Sequence, residues 1–466
     1  MWRESCGLSC CSSEVSRLRL RVESTIQQVF ACGSRWNGRV KRRSMTDETM
    51  DRVIFWGAAV CLLLQAATGE VSAGDWPQIL GPERNGIASD ERLADDWPEN
   101  GPAEVWRRPV GRGFAGAAVE GERALIFHRE GDVERLDALD PATGEVLWEE
   151  GSPTRFQPQY GRDDGPLAVP TISDGRVITL GPSGSLICRK LDSGEPAWSH
   201  NIRDEFDARE GFFGMACSPL VDDGKVFVNV GGREAGAGMV AFDLESGEVV
   251  WKSVADGASY SSPILADVDG VRHLIALTRM KCVSLDPQNG DVRFEFPFGL
   301  RGPTVTAANP IVFDGHLFVS ASYGIGAVYA EVGSDSVESV WSSNDIMSSQ
   351  YTTCIEHEGL LYGVDGRQDI PPADLKCFDP RTQQVLWTEP GFGYATLIKA
   401  DGKLLITKTD GELVLAKLSS EAFQPLARAK VLSGTVRALS ALAGGRLFVR
   451  NEDTLLCLSV GDPADE

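Results

Sequence analysis

Beyond its first 73 residues this sequence lacks paired cysteines, spaced histidines and long helical periods, and each absence removes a class of chemistry. From residue 74 onward the six cysteines, Cys188, Cys217, Cys282, Cys354, Cys377 and Cys457, include no neighbours and no C-x-x-C, which leaves no c-type haem attachment and no thioredoxin-like redox pair. The five histidines, His128, His200, His273, His316 and His357, fall in separate stretches with no H-x-x-x-H, so no zinc site is written in their spacing. Gly181-Pro182-Ser183-Gly184-Ser185 lacks the G-x-S-x-G spacing and reads as a strand turn rather than a nucleophile elbow. Asp267-Val268-Asp269-Gly270 starts like a calcium loop but lacks the third acidic ligand and the distal glutamate. A hairpin turn accounts for it.

Positive charge is the other deficit. Lys and Arg number 45 against 67 Asp and Glu, a net charge of −22, which repels nucleic acid and anionic membranes at long range. The one long apolar run, residues 53–67 (VIFWGAAVCLLLQAA), follows Arg52 and precedes the small-residue pattern Val71-Ser72-Ala73. It is shorter than the roughly 20 residues of a spanning helix and predicts a signal peptide of about residues 50–73, cut after Ala73. Cys61 follows Val60 rather than a small residue, so lipid attachment is not expected. Residues 1–44, with Cys6, Cys10, Cys11, Cys32 and Lys41-Arg42-Arg43, read as an over-extended, unstructured start, the true one being Met45 or Met50. Without residues 1–73 the chain keeps 35 basic and 60 acidic residues, a net charge of −25. The product is expected to be periplasmic or extracellular, with no transmembrane span in the mature chain.

What the sequence has is a repeat. A short apolar strand, a D-G-type turn and a second apolar strand lead to a strand that enters a D-x-x-T-G-type turn and leaves it with an aromatic residue. The best copies are ALDPATGEVLW, ending at Trp148, and AFDLESGEVVW, ending at Trp251; weaker ones end at Trp198, Phe294, Trp341 and Trp387, and AKLSSEAFQPL is a degenerate copy ending at Leu426. Successive aromatic residues lie 50, 53, 43, 47 and 46 positions apart, the period of four-stranded propeller blades. In each unit Asp140 or Asp243 caps the turn, Gly144 or Gly247 supplies the positive φ that closes it, and the following tryptophan docks between blades. Ala103 to Trp106 forms an outer strand with no blade before it, while GRLFVRNEDTLLCLSV (445–460) supplies strands with no tryptophan strand after it. Joining them predicts an all-β, eight-bladed propeller of four-stranded antiparallel blades, closed by its two chain ends, over residues 101–462, with a lead segment at 74–100. The cysteines in SLICRK, MKCVSL, DLKCFD and LLCLSV occupy comparable places in different repeats and are expected to be separate buried thiols.

The unit matched at Ala138 to Trp148 resembles the tryptophan-docking motif of pyrroloquinoline quinone enzymes and of the outer-membrane assembly lipoprotein that shares their propeller. DWPQILGPERNG (75–86), together with GPLAVPTI, SYSSPI, SASYGIGA and YGVDGRQ, is similar to exported quinoprotein-repeat proteins of planctomycete-type bacteria. The resemblance implies a quinoprotein-dehydrogenase-like propeller with Trp106, Trp148, Trp198, Trp251, Phe294, Trp341 and Trp387 as docking residues. It also raises the question of a dehydrogenase acting on an alcohol or sugar with pyrroloquinoline quinone and calcium. The mature chain has none of the adjacent cysteines that many such enzymes carry, and it is too short for their long cofactor-binding loops.

Three functions remain open: a non-catalytic exported scaffold for a protein or cell-envelope partner, which leads; the quinone-dependent dehydrogenase; and a module binding a small anionic or carbohydrate ligand in the propeller funnel. For the last, the candidates are polar residues at strand ends: Arg301, Tyr323, Tyr351, Asp365, Arg367, Gln368, Arg437 and Arg450. Solvated or locally paired charges account for the same residues more simply.

Overall fold

The computed structural model describes residues 74–461 apart from 162 and 210; the expected start and signal segments lie outside the described residues. Its local grammar is the two-residue hairpin. Asp174-Gly175, Asp223-Gly224, Asp269-Gly270, Asp314-Gly315, Glu358-Gly359 and Asp401-Gly402 all take positive φ at both positions, the turn whose twist matches that of its strands. Each joins the first strand of a meander to the second. Eight four-stranded antiparallel meanders follow one another: 118–153, 171–201, 220–253, 264–297, 311–343, 355–389, 395–430, and 441–459 completed by 103–109. These are blades 1 to 8 of a β-propeller. The ring is shut as the sequence predicts: Ala103–Pro109 pairs antiparallel with Thr454–Ser459, placing Trp106 opposite Cys457.

The blades are clamped to one another by tryptophan. The indole N–H of Trp148 donates to Leu191 O (2.9 Å), Trp198 to Leu244 O (2.8 Å), Trp251 to Pro287 O (3.1 Å), Trp341 to Pro380 O (2.6 Å) and Trp387 to Ser419 O (2.8 Å). Trp106 does the same across the closure, to Pro141 O at 3.0 Å. Each acceptor lies in the turn between the third and fourth strands of the next blade. Asp140 holds such a turn by accepting the N–H groups of Ala142 and Thr143, and Asp243 those of Glu245 and Ser246. Under the indoles of Trp106, Trp148, Trp198 and Trp251 sit Gly144, Gly194, Gly247 and Gly290, where a Cβ would come within 2.7 Å of a ring atom. Glycine is needed there for space as well as for its φ.

One regularity is invisible in the alternation of residue types. In all eight blades the pairing of third and fourth strands slips by one residue just before the docking position, leaving Val105, Leu147, Ala197, Val250, Arg293, Val340, Leu386 and Leu426 unpaired. This β-bulge re-aims the fourth strand so that the tryptophan faces the next blade. It corrects the reading of blade 7: Ala427, opposite Leu415, holds the docking place, and Leu426 is the bulge. It also refines the cysteines. Cys188, Cys377 and Cys457 lie opposite Trp198, Trp387 and Trp106, whereas Cys282 is opposite Phe296, two places from the docking Phe294.

The lead segment crosses one mouth of the central channel. Trp76 exchanges backbone hydrogen bonds with Val119, Pro77 O accepts from Ile172, and Gly86 O accepts from Lys399. Ile87–Ala88 adds a fifth, parallel strand to blade 7 at Lys399 and Ala400, and the Glu91 carboxylate caps the Gly444 and Gly445 amides of blade 8. Arg84, fully buried, donates to Ser218 O and Pro219 O at 2.8 Å; burial lowers its pKa to about 10, which leaves it charged at neutral pH.

The docking geometry fixes an expected result for two glycines. Gly144→Ala forces a methyl into the Trp106 ring and a left-handed alanine, a cost of about 2–4 kcal/mol. Gly175→Ala, at a similar φ of 69° but with open space around it, costs about 1–2 kcal/mol. Thermal unfolding of the two variants is expected to rank them in that order.

Candidate functional site at the loop face

In an antiparallel meander the connections leave alternately at the two ends. The hairpin turns and the tryptophan-docking turns emerge on one face, here the turn face. The links between second and third strands, and the longer links between blades, emerge on the other, the loop face. All eight funnel candidates fall on the loop face.

That face is organised around an arc of hydrogen bonds at the start of the first strands of blades 2 to 6. Val169 N–H donates to Ser218 Oγ (2.8 Å), Ser218 N–H to Ser262 Oγ (2.9 Å), Ser262 N–H to Asn309 Oδ1 (2.8 Å) and Asn309 N–H to Thr353 Oγ1 (2.9 Å). Pro170, Pro219, Pro263 and Pro310 follow these residues and carry no N–H that would go unsatisfied in the channel. The recurring V/S/N-P pair was present in the sequence as a signal for this arc, within AVPT, CSPL, SSPI and ANPI.

Five of the eight candidates gather around blades 5 and 6. The Arg367 guanidinium lies 3.9 Å from the centre of the Tyr323 ring and pairs with Asp369. Gln350 links the group: its Nε2 donates to Tyr323 Oη (2.8 Å) and Asp369 Oδ1 (3.2 Å), and its Oε1 accepts from Gln368 N (2.9 Å). Tyr351 Oη donates to Gln368 Oε1 at 3.2 Å. Asp365, beside them, accepts from Ser348 N and pairs with Lys376. The linking residues Gln350 and Asp369 were not singled out in the sequence, since nothing local marks them. Tyr323 adopts φ 68°, a left-handed conformation that costs a bulky residue energy and draws attention to the loop.

The other three do not join this group. Arg437 reaches across to Asp163 (2.6 Å) and lies 4.8 Å from the centre of the Phe114 ring. Arg301 is exposed and makes no hydrogen bond or ion pair with a described residue. Arg450 is fully buried, donating to Asn451 O and Gly111 O, with its pKa lowered by burial to about 10. It braces the chain rather than opening to a funnel. A cavity of about 520 Å³ lies beside blades 6 and 7, bordered by Arg367, Gln368, Phe392, Tyr394, Lys408 and Asp410. Its two cations are already matched, Arg367 by Asp369 and Lys408 by Glu412.

A second feature of the face is apolar. Tyr160 (55 % exposed) packs its ring 5.5 Å from Phe212, whose neighbour Phe213 lies 6.0 Å from Tyr260. Tyr260 N–H reaches Thr306 O in the loop that carries Leu300 (44 % exposed), whose Cδ1 would lie 4.0 Å from a Cβ placed on Gly324, the neighbour of Tyr323. Through Arg367 and Asp369 the arc ends at Ile370, 58 % exposed. Aromatic and aliphatic groups thus run along the loops from blade 1 to blade 6.

The quinone and calcium implied by the sequence resemblance need converging carboxylates. Among the described residues no three His, Cys, Asp or Glu side chains come together to hold a metal. Three carboxylates of this face are otherwise engaged: Asp163 by Arg437, Asp365 by Lys376, and Asp256 by Thr278 Oγ1 and Met280 N. The donors present do not fit that pair. The six cysteines of the propeller are free and buried.

Fold and repeat together define the class: a β-propeller of pyrroloquinoline-quinone-like repeats. More particularly, the family model described as outer membrane protein assembly factor BamB matches residues 130–389, more than half of the chain, and the chain belongs to that family. Solved structures agree in fold. BamB from Moraxella catarrhalis is 15% identical at a TM-score of 0.55, covering 77% of this chain and 99% of its own. The quinohemoprotein alcohol dehydrogenase ADHIIG from Pseudomonas putida HK5 is 13% identical at 0.58, covering 84% and 81%. A europium-containing methanol dehydrogenase is 11% identical at 0.60, covering 81% and 89%. No protein of curated function matches the chain in sequence.

Two expected outcomes follow from the buried groups. Burial pushes the thiols up, Cys188, Cys217 and Cys377 to about 11 and Cys354 and Cys457 to about 12. Cys282, also buried, is raised as well. A thiol-reactive dye at pH 8 is therefore expected to gain six reactive groups in the propeller only when the protein is unfolded. Glu134 is buried, with Oε1 unpartnered; burial raises its pKa, opposed by Thr154 and Arg129. The folded state then holds this proton more tightly than the unfolded chain, so the stabilisation is full at acid pH and lost as pH rises through the raised value. Glu134→Gln is expected to raise the unfolding temperature more at pH 8 than at pH 4.

Proposed function

We propose that this protein is an exported, non-catalytic scaffold that docks a protein partner of the cell envelope against its loop face. The observation that carries this reading is the apolar arc from Tyr160 to Ile370. Solvent-exposed aromatic and aliphatic groups along one face, with Arg301 beside them unpaired among the described residues, have the composition of an interface centre. Membership of the assembly-factor family supports the same direction. The strained Tyr323 and the Gln350 network hold the loops in place, so a partner meets a preorganised surface and the ordering cost of docking is reduced.

A ligand reading has one observation in its favour, the 520 Å³ cavity with Phe392 and Tyr394 on its wall. It ranks second because the cations there are neutralised within the protein. A dehydrogenase reading finds no converging metal donors among the described residues.

The test joins two measurements. A photo-crosslinking amino acid at Tyr160 or Ile370 is expected to trap one discrete envelope protein. The combined variant Tyr160→Ser, Leu300→Ser, Ile370→Ser is expected to cut recovery of that protein at least tenfold at an unchanged unfolding temperature. Titration with pyrroloquinoline quinone and calcium is expected to give no binding heat at micromolar cofactor. Stoichiometric uptake with alcohol-dependent dye reduction would replace the scaffold with an enzyme.

A further inference from the structure

The channel mouth on the turn face is only partly covered. Where the lead segment crosses it, its backbone bonds go to Val119, Ile172 and Lys399, in blades 1, 2 and 7. Each of these residues directly precedes a hairpin's closing pair, Glu120 with Arg123, Ser173 with Arg176 and Ala400 with Lys403. At such a position antiparallel alternation turns the N–H and C=O away from the second strand and into the channel. The same alternation makes Leu265 and Asp267 of blade 4 channel-facing, counting back from Val268 paired with Val271, and Val312 of blade 5, next to Phe313 paired with His316. No described residue takes up these three N–H groups.

A cavity of about 330 Å³ lies against them, walled by Glu83 and Arg84 of the lead segment, Leu265 and Asp267, and Val312 and Asp314. Arg84, whose buried Nε has no hydrogen-bond partner among the described residues, contributes to the lining. The edge is also the longest left open: the first strand of blade 4, Ile264–Val268, has five residues, against three in blades 1, 2, 3, 5, 6 and 8. The six-residue first strand of blade 7 is the one the lead segment occupies.

We propose that this cleft receives an extended, basic segment of a partner protein as an added strand on the first strand of blade 4. The protein performs the same operation on itself, laying Ile87–Ala88 along Lys399 and Ala400 of blade 7. Leu265 and Asp267 stand two residues apart, the spacing at which an incoming backbone makes its bonds. Charge selects the side chains. Arg272 is shared between Asp267 (2.6 Å) and Asp222 (2.9 Å), and the Arg84 charge is directed at backbone carbonyls. Glu83, Asp314 and Glu356 line the cavity without an ion pair among the described residues. Lysine or arginine at alternate positions of the added strand meets these carboxylates, while Leu265 and Val312 give the intervening side chains an apolar floor. This site is separate from the loop face and does not rest on the scaffold reading.

The probe is a fluorescein-labelled eight-residue peptide of alternating lysine and valine, titrated with the full-length protein and followed by anisotropy. A saturable rise is expected, weakened at least tenfold when every peptide nitrogen is methylated or when glutamate replaces lysine. Glu83→Lys combined with Asp314→Lys is expected to weaken it tenfold or more, as is Leu265→Pro, which deletes one channel N–H. Should Leu265→Pro fail to fold, the exposed charge pair still decides the matter. The Tyr160, Leu300 and Ile370 variant of the loop face is expected to bind the peptide like the parent, so the two sites fail independently. Absence of saturable binding, equal affinity for the methylated peptide, or indifference to charge reversal would each overturn the proposal.

Discussion

An indole ring resting on a glycine of the neighbouring blade is the contact on which this propeller turns. A blade is a four-stranded sheet with two apolar faces, too small to be stable alone, and it needs a fixed relation to the blades on either side. The tryptophan supplies area and direction together: its face covers the turn glycine and its N–H reaches one carbonyl beyond. The strand carrying Trp106 completes blade 8 by pairing with Thr454–Ser459 and clamps blade 1 through Gly144, so closure of the ring and docking of its last blade are one event. Without Ala103–Pro109 the strand Thr454–Ser459 would present an unpaired edge to other chains, and closure covers it.

Two interfaces do without tryptophan. Between blades 4 and 5 the docking residue is Phe294, which fills space but has no N–H to donate; the apolar cluster there draws instead on Leu317, Val319, Val328 and Val332 of blade 5. Between blades 7 and 8 the place falls to Ala427, and the lead segment makes up the difference, since Leu93 and Trp97 join the cluster that includes Leu447, Leu456 and Leu458. The lead therefore serves as a strap at the weakest docking contact as well as a cover for part of the channel.

How far the sequence could be read follows from the range of the forces involved. Turns, strands, docking residues and ring closure were legible because each is set by a few neighbouring residues: Asp-Gly for the hairpins, Asp-x-x-Thr-Gly for the docking turn, an unmatched strand at each chain end. The bulge before every docking residue was not legible, because Leu147 and Val250 are ordinary strand residues whose exposure comes from pairing register alone. Residue types alone therefore point to Leu426, one place short of Ala427. Along the loop face, sequence reasoning found Tyr323, Arg367 and Gln368 but missed Gln350 and Asp369, which hold them together. Arg450 illustrates the other limit, since an arginine at a strand end reads as a surface charge until the fold buries it against two carbonyls.

The buried arginines also change what the charge balance means. Arg84, Arg129, Arg189 and Arg450 are buried, and each donates to backbone carbonyls. Their guanidinium groups satisfy those carbonyls, and desolvation makes them poor partners for anything outside. With Lys376 and Lys403 they make six buried basic side chains among the described residues against four buried carboxylates, Glu91, Glu134, Asp137 and Asp256, so the acidic excess of the surface is slightly larger than that of the sequence. A partner approaching from solvent meets a field that favours positive charge and is screened within about 10 Å at 0.1 M salt. Asp and Glu recur on the turn face in the hairpin and docking turns, whereas the loop face combines exposed aromatic and aliphatic groups with paired charges such as Arg367 with Asp369 and Arg437 with Asp163. One ring of repeats thus presents two chemically different ends, and a partner carrying a basic strand and one presenting an apolar patch would approach from opposite sides without competing.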